Sequence, residues 1–307
     1  MIVTVTPNPS IDRTIRIEHL ERGALHRATS ATAEAAGKGV NVSRALRVEG
    51  HDTLAIVPLA EQTAAAYRAL LDDAVELAGV AIRGGIRSNL TLVERDGTMT
   101  KVNEPGPPLR RVDVEALLTC AASTGGTWLV GCGSLPPEAP NDFYASLIRT
   151  ARAGRRVAID TSGDALRETV HGGPDLLKPN VDELEELLGH RIADLGDAVD
   201  AAQVIVARGV GALLVSLGAD GALYADGSTV LHAEAPIDDA ANTVGAGDAL
   251  LAGFLAAGGG PDAIGPAVSW AVASVRSPDT RMPLVTDRDR AAVILHPTID
   301  RSRAVRR

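Results

Sequence analysis

Short runs rich in β-branched residues alternate along this chain with longer segments of helical periodicity, and no other feature restricts the fold as much. Strand-like runs stand at residues 2–6, 53–57, 89–94, 127–131, 156–160, 176–178 and 212–216. Helical patterns stand between several of them, at 40–49, 64–77, 112–123, 141–153, 181–188 and 198–207. A strand, a helix and a strand in succession imply a right-handed crossover, and repetition of the unit implies a largely parallel sheet covered on both faces. Ligands of such sheets gather at the carboxyl ends of the strands. The loops that follow each strand are therefore where chemistry is expected.

Two stretches interrupt the alternation. Residues 12–33 alternate around a turn at Gly23, and residues 89–103 read as a hairpin around Asp96-Gly97. Both predict antiparallel strands set into the α/β body. The last third carries a further hairpin, 221–224 with 229–232 through Asp226-Gly227, and then helices over 246–257 and 262–276. The expected fold class is α/β, with three layers, a mostly parallel central sheet and a small antiparallel β lid. The body takes residues 1–11, 34–86 and 104–307, and the lid takes 12–33 and 87–103. The Arg-rich segment 301–307 is expected to be solvated and frayed.

Composition removes several function classes. A net charge of -9 over 307 residues is wrong for a general nucleic-acid binder, which needs positive charge to displace counterions. Two Trp, three Tyr and two Phe supply no stacking platform for bases. Cys120 and Cys132 show neither CxxC spacing nor a disulfide framework, so two reduced thiols are expected. The apolar stretch 249–260 is shorter than the ~18 residues a membrane helix needs. Met1 leads at once into a β-branched run without a charged leader. A cytoplasmic protein, with no membrane or nucleic-acid partner, is the expectation.

The sharpest motif is Asn242-Thr243-Val244-Gly245-Ala246-Gly247-Asp248, opening an apolar helix. Small residues at Gly245, Ala246 and Gly247 let backbone N–H groups approach an anion at a helix N-terminus. Asp248 in the first turn has two readings of similar weight. It complements the helix dipole, or it takes a proton from an attacking hydroxyl beside a backbone hole for a transferring phosphoryl group. Gly37-Lys38-Gly39-Val40-Asn41 enters another helix without the Walker A spacing. It is a glycine turn with a solvated Lys38, or a wedge for a polyhydroxy ligand whose hydroxyls Asn41 reads.

Lys178-Pro179-Asn180-Val181-Asp182-Glu183 has the form of a capping box, with Asn180 as N-cap and Glu183 three residues on. The cap is the favoured reading; the same amide and carboxylate also suit a Mg²⁺ ion held through water. Ser216-Leu217-Gly218-Ala219-Asp220-Gly221 ends a strand in a turn that leads to a hairpin or frames a nucleotide. Asp12 follows the first strand, and Arg87 and Asn89 flank the hairpin start. Arg87 is a candidate anion clamp, because a guanidinium offers two parallel donors. The seven His form no HExxH pair, and Ser134 lacks a GxSxG elbow, which removes zinc and hydrolase chemistry.

In this order the motifs resemble the PfkB/ribokinase family of carbohydrate kinases, and look most like its 1-phosphofructokinase/tagatose-6-phosphate kinase branch. The resemblance runs from Thr4 to about Pro283. It implies a ribokinase-like fold, with ATP and Mg²⁺ as cosubstrate and cofactor; the exposed edge of a lid strand separately favours pairing with a second subunit, so a homodimer through the lid is expected. The resemblance also implies roles. Asp12, Gly37, Lys38 and Asn41 would line the sugar site, and Ser134 would face the sugar. Arg87 would hold a phosphate already on it, with Arg27 reaching a substrate phosphate, in some relatives across a dimer interface. Lys178, Asn180, Ser216, Gly218 and Gly221 would meet the nucleotide, with Glu183 on Mg²⁺ through water. Gly245, Ala246 and Gly247 would form the anion hole and Asp248 the base. Ala36 stands where relatives have a first Gly, and Thr91 where phosphofructokinase relatives often carry Lys.

The expected reaction is ATP-dependent phosphorylation of a phosphorylated ketohexose: fructose 1-phosphate, fructose 6-phosphate or tagatose 6-phosphate. The alternatives are a non-catalytic sugar-phosphate sensor and a kinase of an unphosphorylated sugar or nucleoside. A nicotinamide dehydrogenase would need GxGxxG after the first strand, where Pro7-Asn8-Pro9 stands instead.

Overall fold

The computed structural model describes residues 1–71, 75–151 and 154–306. The first third contains β1 (Ile2–Val5), β2 (Ser10–Arg16), β3 (Ser30–Ala36), α1 (Lys38–Val48), β4 (Thr53–Ala60), α2 (Ala64–Leu70), β5 (Glu76–Ile82), β6 (Arg87–Val93) and β7 (Met99–Asn103). The middle adds α3 (Arg111–Ser123), β8 (Trp128–Cys132), α4 (Phe143–Thr150), β9 (Arg156–Asp160), α5 (Gly163–Gly172), β10 (Leu176–Leu177), α6 (Val181–Leu188) and α7 (Leu195–Ala207). The remainder is β11 (Ala212–Ser216), β12 (Ala222–Asp226), β13 (Val230–Glu234), α8 (Ala246–Ala256), α9 (Ile264–Arg276), α10 (Asp287–Ala291) and β14 (Ile294–His296).

The large sheet runs β14-β13-β12-β11-β10-β9-β8-β1-β4-β5. Pairing is parallel from β11 across to β5 and antiparallel from β11 out to β14. β1 lies between β4 and β8, so the chain winds from it first one way and then the other. That reversal opens a crevice at the carboxyl ends of the strands. Apolar clusters fill both faces. One joins Leu117, Phe143, Leu166 and Leu184 of α3 to α6, and the other joins Leu46, Leu250, Phe254 and Trp270 of α1, α8 and α9. α8 is buried at every position from Asp248 to Leu255 because sheet, α1 and α9 enclose it, which accounts for its nearly all-apolar sequence.

A second sheet, ordered β3-β2-β6-β7, is antiparallel at β2–β3 and β6–β7. β2 and β6 run parallel. Each leaves the body just past the carboxyl end of a parallel strand, β2 after β1 and β6 after β5, so both start in one direction.

The structure corrects three local expectations. The helix expected over 64–77 ends at Leu70, and the chain from Glu76 enters a strand at the edge of the sheet; residues 72–74 lie outside the described residues. Leu77, Val80 and Ile82 sit in β5, where pairing with β4 outweighs local helical preference. The helix expected over 141–153 covers Phe143–Thr150, and Ala153 lies outside the described residues. The segment 301–306 is fastened, not frayed. Val305 is buried, Ala304 bridges Asp194, and Arg303 and Arg306 bind buried carboxylates; Arg307 is outside the described residues.

Candidate active site

The carboxyl ends of neighbouring parallel strands bring charged groups together. β9 ends at Asp160, whose side chain is 1% exposed. Lys38 Nζ, at the start of α1, donates to Asp160 Oδ1 at 2.8 Å. Lys178 Nζ, just past β10, lies 3.0 Å from Asp160 Oδ2. Burial alone would push this carboxyl up, but the two ammonium groups outweigh it and hold it below the usual range. Burial likewise works against the charge on Lys38, yet Asp160, Glu183 and Asp248 raise its pKa above the ordinary value. Lys178 is buried beside Asp160, whereas Lys38 reaches the same carboxylate from a part-exposed position.

Gly245 takes φ 83 and serves as N-cap of α8, a conformation that suits glycine. Val244 N–H donates to Asn242 Oδ1 at 3.0 Å, which shapes the turn. Among the described residues the amides of Gly247 and Asp248 have no backbone acceptor, as expected for a first helical turn. A Cβ placed on Gly247 would lie 3.6 Å from Lys178 Nζ, so a buried ammonium lies beside this first turn. Asp248 is 8% exposed, and its Oδ2 accepts from Asn41 Nδ2 at 2.8 Å. Burial first, and then the charge of Asp160, push the Asp248 carboxyl up to about 6, against Lys38, the Asn41 hydrogen bond and Lys178. A cavity bounded by Asn41, Arg44, Gly245, Asp248 and Thr280 reaches this carboxylate.

Asn180 and Glu183 form the capping box in full: Glu183 N–H donates to Asn180 Oδ1 at 2.8 Å, and Asn180 N–H donates to Glu183 Oε2 at 2.9 Å. Glu183 Oε1 faces Lys38 Nζ at 4.0 Å. Burial chiefly raises the Glu183 pKa, with Lys38 pulling the other way. Ser216 N–H donates to Pro179 O, which seats the 216–221 turn beside this cap.

On the small sheet, Ser10 pairs with Arg87 and Asp12 with Asn89 and Glu34, so these residues share one face. Asp12 Oδ1 accepts from Ser10 Oγ at 2.6 Å and Asn89 Nδ2 at 2.9 Å. Arg87 donates to Glu104 O at 3.3 Å, and burial lowers its pKa while Asp12 opposes the shift. Glu34 connects this face to the body: its Oε1 accepts from Thr280 Oγ1, and its Oε2 lies 3.8 Å from Arg281 Nε. Thr280 also lines the Asp248 cavity, so the face carrying Asp12 adjoins the carboxylate.

One candidate stands apart, and a second is exposed beside Gly133, whose N–H donates to Asp160 O at 2.8 Å. Arg27 is exposed in the loop between β2 and β3. That loop leaves the sheet at the Arg16–Ser30 pair, about 20 Å along β2 from Ser10 at ~3.3 Å per residue, so within one chain Arg27 does not reach the crevice. Ser134 follows Gly133 at an exposed position beyond β8. Gly37, at φ 136, and Gly39 have a packing reason: a Cβ on Gly39 would meet Thr6 Oγ1 at 2.5 Å, because α1 starts against β1. Gly221 has one too, since its missing Cβ makes room for Ala233 O. Gly218 faces open space. Sequence reasoning missed Asp160 and Glu34. Asp160 carries a readable signal, an acidic residue ending a predicted strand, whereas Glu34 in an Ala-rich run carries none.

The family model for pfkB family carbohydrate kinases matches residues 5–259. The chain belongs to that family. Among curated relatives, the 1-phosphofructokinase of Haloferax volcanii is 40% identical over 261 residues, covering 84% of each chain. That of Rhodobacter capsulatus is 36% identical over 260 residues, covering 83% of this chain and 82% of its own. Phosphofructokinase-2 from Escherichia coli, in complex with fructose-6-phosphate, is 29% identical with a TM-score of 0.84, over 94% of this chain and 96% of that one. This PfkB protein is a carbohydrate kinase with the ribokinase-like three-layer fold.

Proposed function

We propose that this kinase moves the γ-phosphoryl group of ATP onto a hydroxyl of a phosphorylated ketohexose, with fructose 1-phosphate as the preferred acceptor. The observation that carries the reading is Asp248: a buried carboxylate with a pKa of about 6, at a glycine-opened helix N-terminus, beside the buried Lys178 ammonium. At pH 7 it is mostly ionised and close enough to neutrality to accept a proton from the attacking alcohol. Asn41 aims it. The Gly245–Gly247 turn and Lys178 meet the negative charge of the migrating group, which in a loose transition state matters more than base strength. The preference for fructose 1-phosphate follows the names of the curated relatives; fructose 6-phosphate is the second reading, on the similarity to the Escherichia coli enzyme. With O1 esterified, O6 is the primary alcohol left to react.

The residues fit a nucleotide-borne Mg²⁺. Among the described residues no group of three His, Cys, Asp or Glu side chains forms a metal cage. Glu183 Oε2 and Asn180 Oδ1 are spent on each other, and Glu183 Oε1 is the oxygen turned to the charged crevice, suited to an ion through water. When bound, the ion would neutralise phosphate charge. Asp12, Asn89 and Arg87 would hold the sugar phosphate, with Arg27 contributed by a second copy. A homodimer through the small sheet supports that: Leu25 in its β2–β3 loop and Met99 and Val102 on β7 are 81%, 55% and 55% exposed. Sedimentation at micromolar concentration should give twice the 31.7 kDa chain mass; a monomer refutes the pairing.

The deciding experiment is ADP release across fructose, fructose 1-phosphate, fructose 6-phosphate, tagatose 6-phosphate and a nucleoside. The highest kcat/KM is expected with fructose 1-phosphate, and equal turnover of fructose itself overturns the assignment of a sugar-phosphate site.

A further inference from the structure

The Arg-rich segment 301–306 binds the turn proposed to meet the nucleotide, and it binds only one side of it. Asp220, with a side chain 0% exposed, accepts from Arg303 Nη2 at 2.7 Å, from Arg306 Nε at 2.7 Å and from the Arg306 backbone N–H at 2.6 Å. Arg306 Nη2 also donates to Ala219 O at 2.6 Å. Arg303 grips Glu234 through both terminal nitrogens, at 2.7 and 2.6 Å. Glu234 lies where the chain passes Gly221, whose hydrogen stands against Ala233 O. On the same side, His232 Nε2 meets Asp220 O at 2.7 Å and stacks on His296.

The opposite side is bare. Gly218 and Ala219 are exposed, and a Cβ on Gly218 would enter open space. A short glycine-rich turn has little stiffness of its own. Here two guanidinium forks and a buried carboxylate fix its inner edge, so the outer edge is presented in one shape. Charge-assisted bonds of this kind are the strongest hydrogen bonds available to a side chain. Both arginines lie outside the residues 5–259 that the family model matches.

We propose that Arg303, Arg306 and Asp220 are positioning residues for nucleotide binding, a clamp that pre-forms the 218–221 turn for the base and ribose of ATP. Pre-formation lowers the ordering cost paid on binding, so it acts on affinity for one substrate. The proposal rests on the assignment of this turn to the nucleotide, and the test separates the two.

Arg306 is the residue to change first, because it is half exposed while Arg303 also neutralises Glu234. In Arg306→Ala the KM for ATP should rise about tenfold, with kcat within about twofold and the sugar-phosphate KM unchanged. Arg306→Lys should recover part of the loss, since one ammonium can pair with Asp220 but cannot also span to Ala219 O. Hydrogen exchange at 216–221 supplies the second readout: faster in the ligand-free Ala variant than in wild type, and slowed by ADP in wild type. Absence of ADP protection in wild type refutes the nucleotide assignment. Protection in wild type with an unchanged ATP KM in Arg306→Ala refutes the clamp, as does an equal rise in the KM for both substrates.

Discussion

Asp248→Asn should make the protein more stable while disabling it. The carboxyl is lifted from 3.8 to about 6 by burial and by Asp160, so the fold prefers the neutral acid. With the folded value raised, the native state carries no cost below about pH 4, and the cost grows until it is complete above about pH 6. Two units at 1.36 kcal/mol each bound it at about 3 kcal/mol. Asparagine has the shape of the neutral acid, and its carbonyl still accepts from Asn41 Nδ2. The lost attraction to Lys38 and Lys178 is already inside that shift, and imperfect replacement of the acid by the amide leaves about 1–3 kcal/mol. An unfolding entropy of about 2.1 cal/mol/K per residue over 307 residues converts this to a melting point about 2–5 °C higher. Melting curves at pH 8 and pH 5 are the assay, with turnover measured on the same preparations. The gain should be full at pH 8 and reduced at pH 5, while kcat falls about 10²- to 10⁴-fold. An Asn variant no more stable than wild type at pH 8, or a gain identical at the two pH values, refutes the argument; normal turnover removes Asp248 as the base.

Other expectations follow from the same geometry. In wild type, kcat/KM should fall along an acid limb centred near pH 6, reaching about a tenth of its plateau at pH 5, and Asn41→Ala should move that limb upward because a donor to the charged form is gone. Lys178→Met leaves Asp160 with Lys38 alone; about 3 kcal/mol of stability should be lost in urea unfolding and turnover should collapse, and an unaffected kcat would show that the ammonium beside Gly247 is not part of transfer. Gly39→Ala sets a methyl against Thr6 and should cost about 1–3 kcal/mol, read from the same melts.

What the sequence revealed depended on how local each cause is. The Gly245–Asp248 turn and the Asn180–Glu183 box are legible because their geometry is decided within four residues, by a positive φ and by reciprocal side-chain caps. Asp160 is legible only as an acid that ends a strand; its meaning comes from Lys38, 122 positions away, and from Lys178 beyond the next crossover. Residue type alone does not reveal that Gly37 and Gly39 also pack against Thr6, or that Gly221 packs against the Ala233 backbone. β5 was hidden because Ala- and Leu-containing text favours a helix until a neighbouring strand offers its hydrogen bonds. The segment 301–306 reads as a solvated basic run, and what holds it, the buried Asp220 and Glu234 and the backbone near Asp194, lies far away in the sequence.

The small sheet is sewn from two separate excursions of the chain, 10–36 and 87–103, and its central pairing, β2 with β6, joins residues 77 positions apart. The strands that launch the two excursions, β1 and β5, are held in place by β4 between them. Under the proposed function, acceptor recognition would then depend on the longest-range pairing in the small sheet. A chain lacking that pairing would keep the strands that carry its helix-terminus amides and buried lysines, and would lack the face on which Asp12, Asn89 and Arg87 meet.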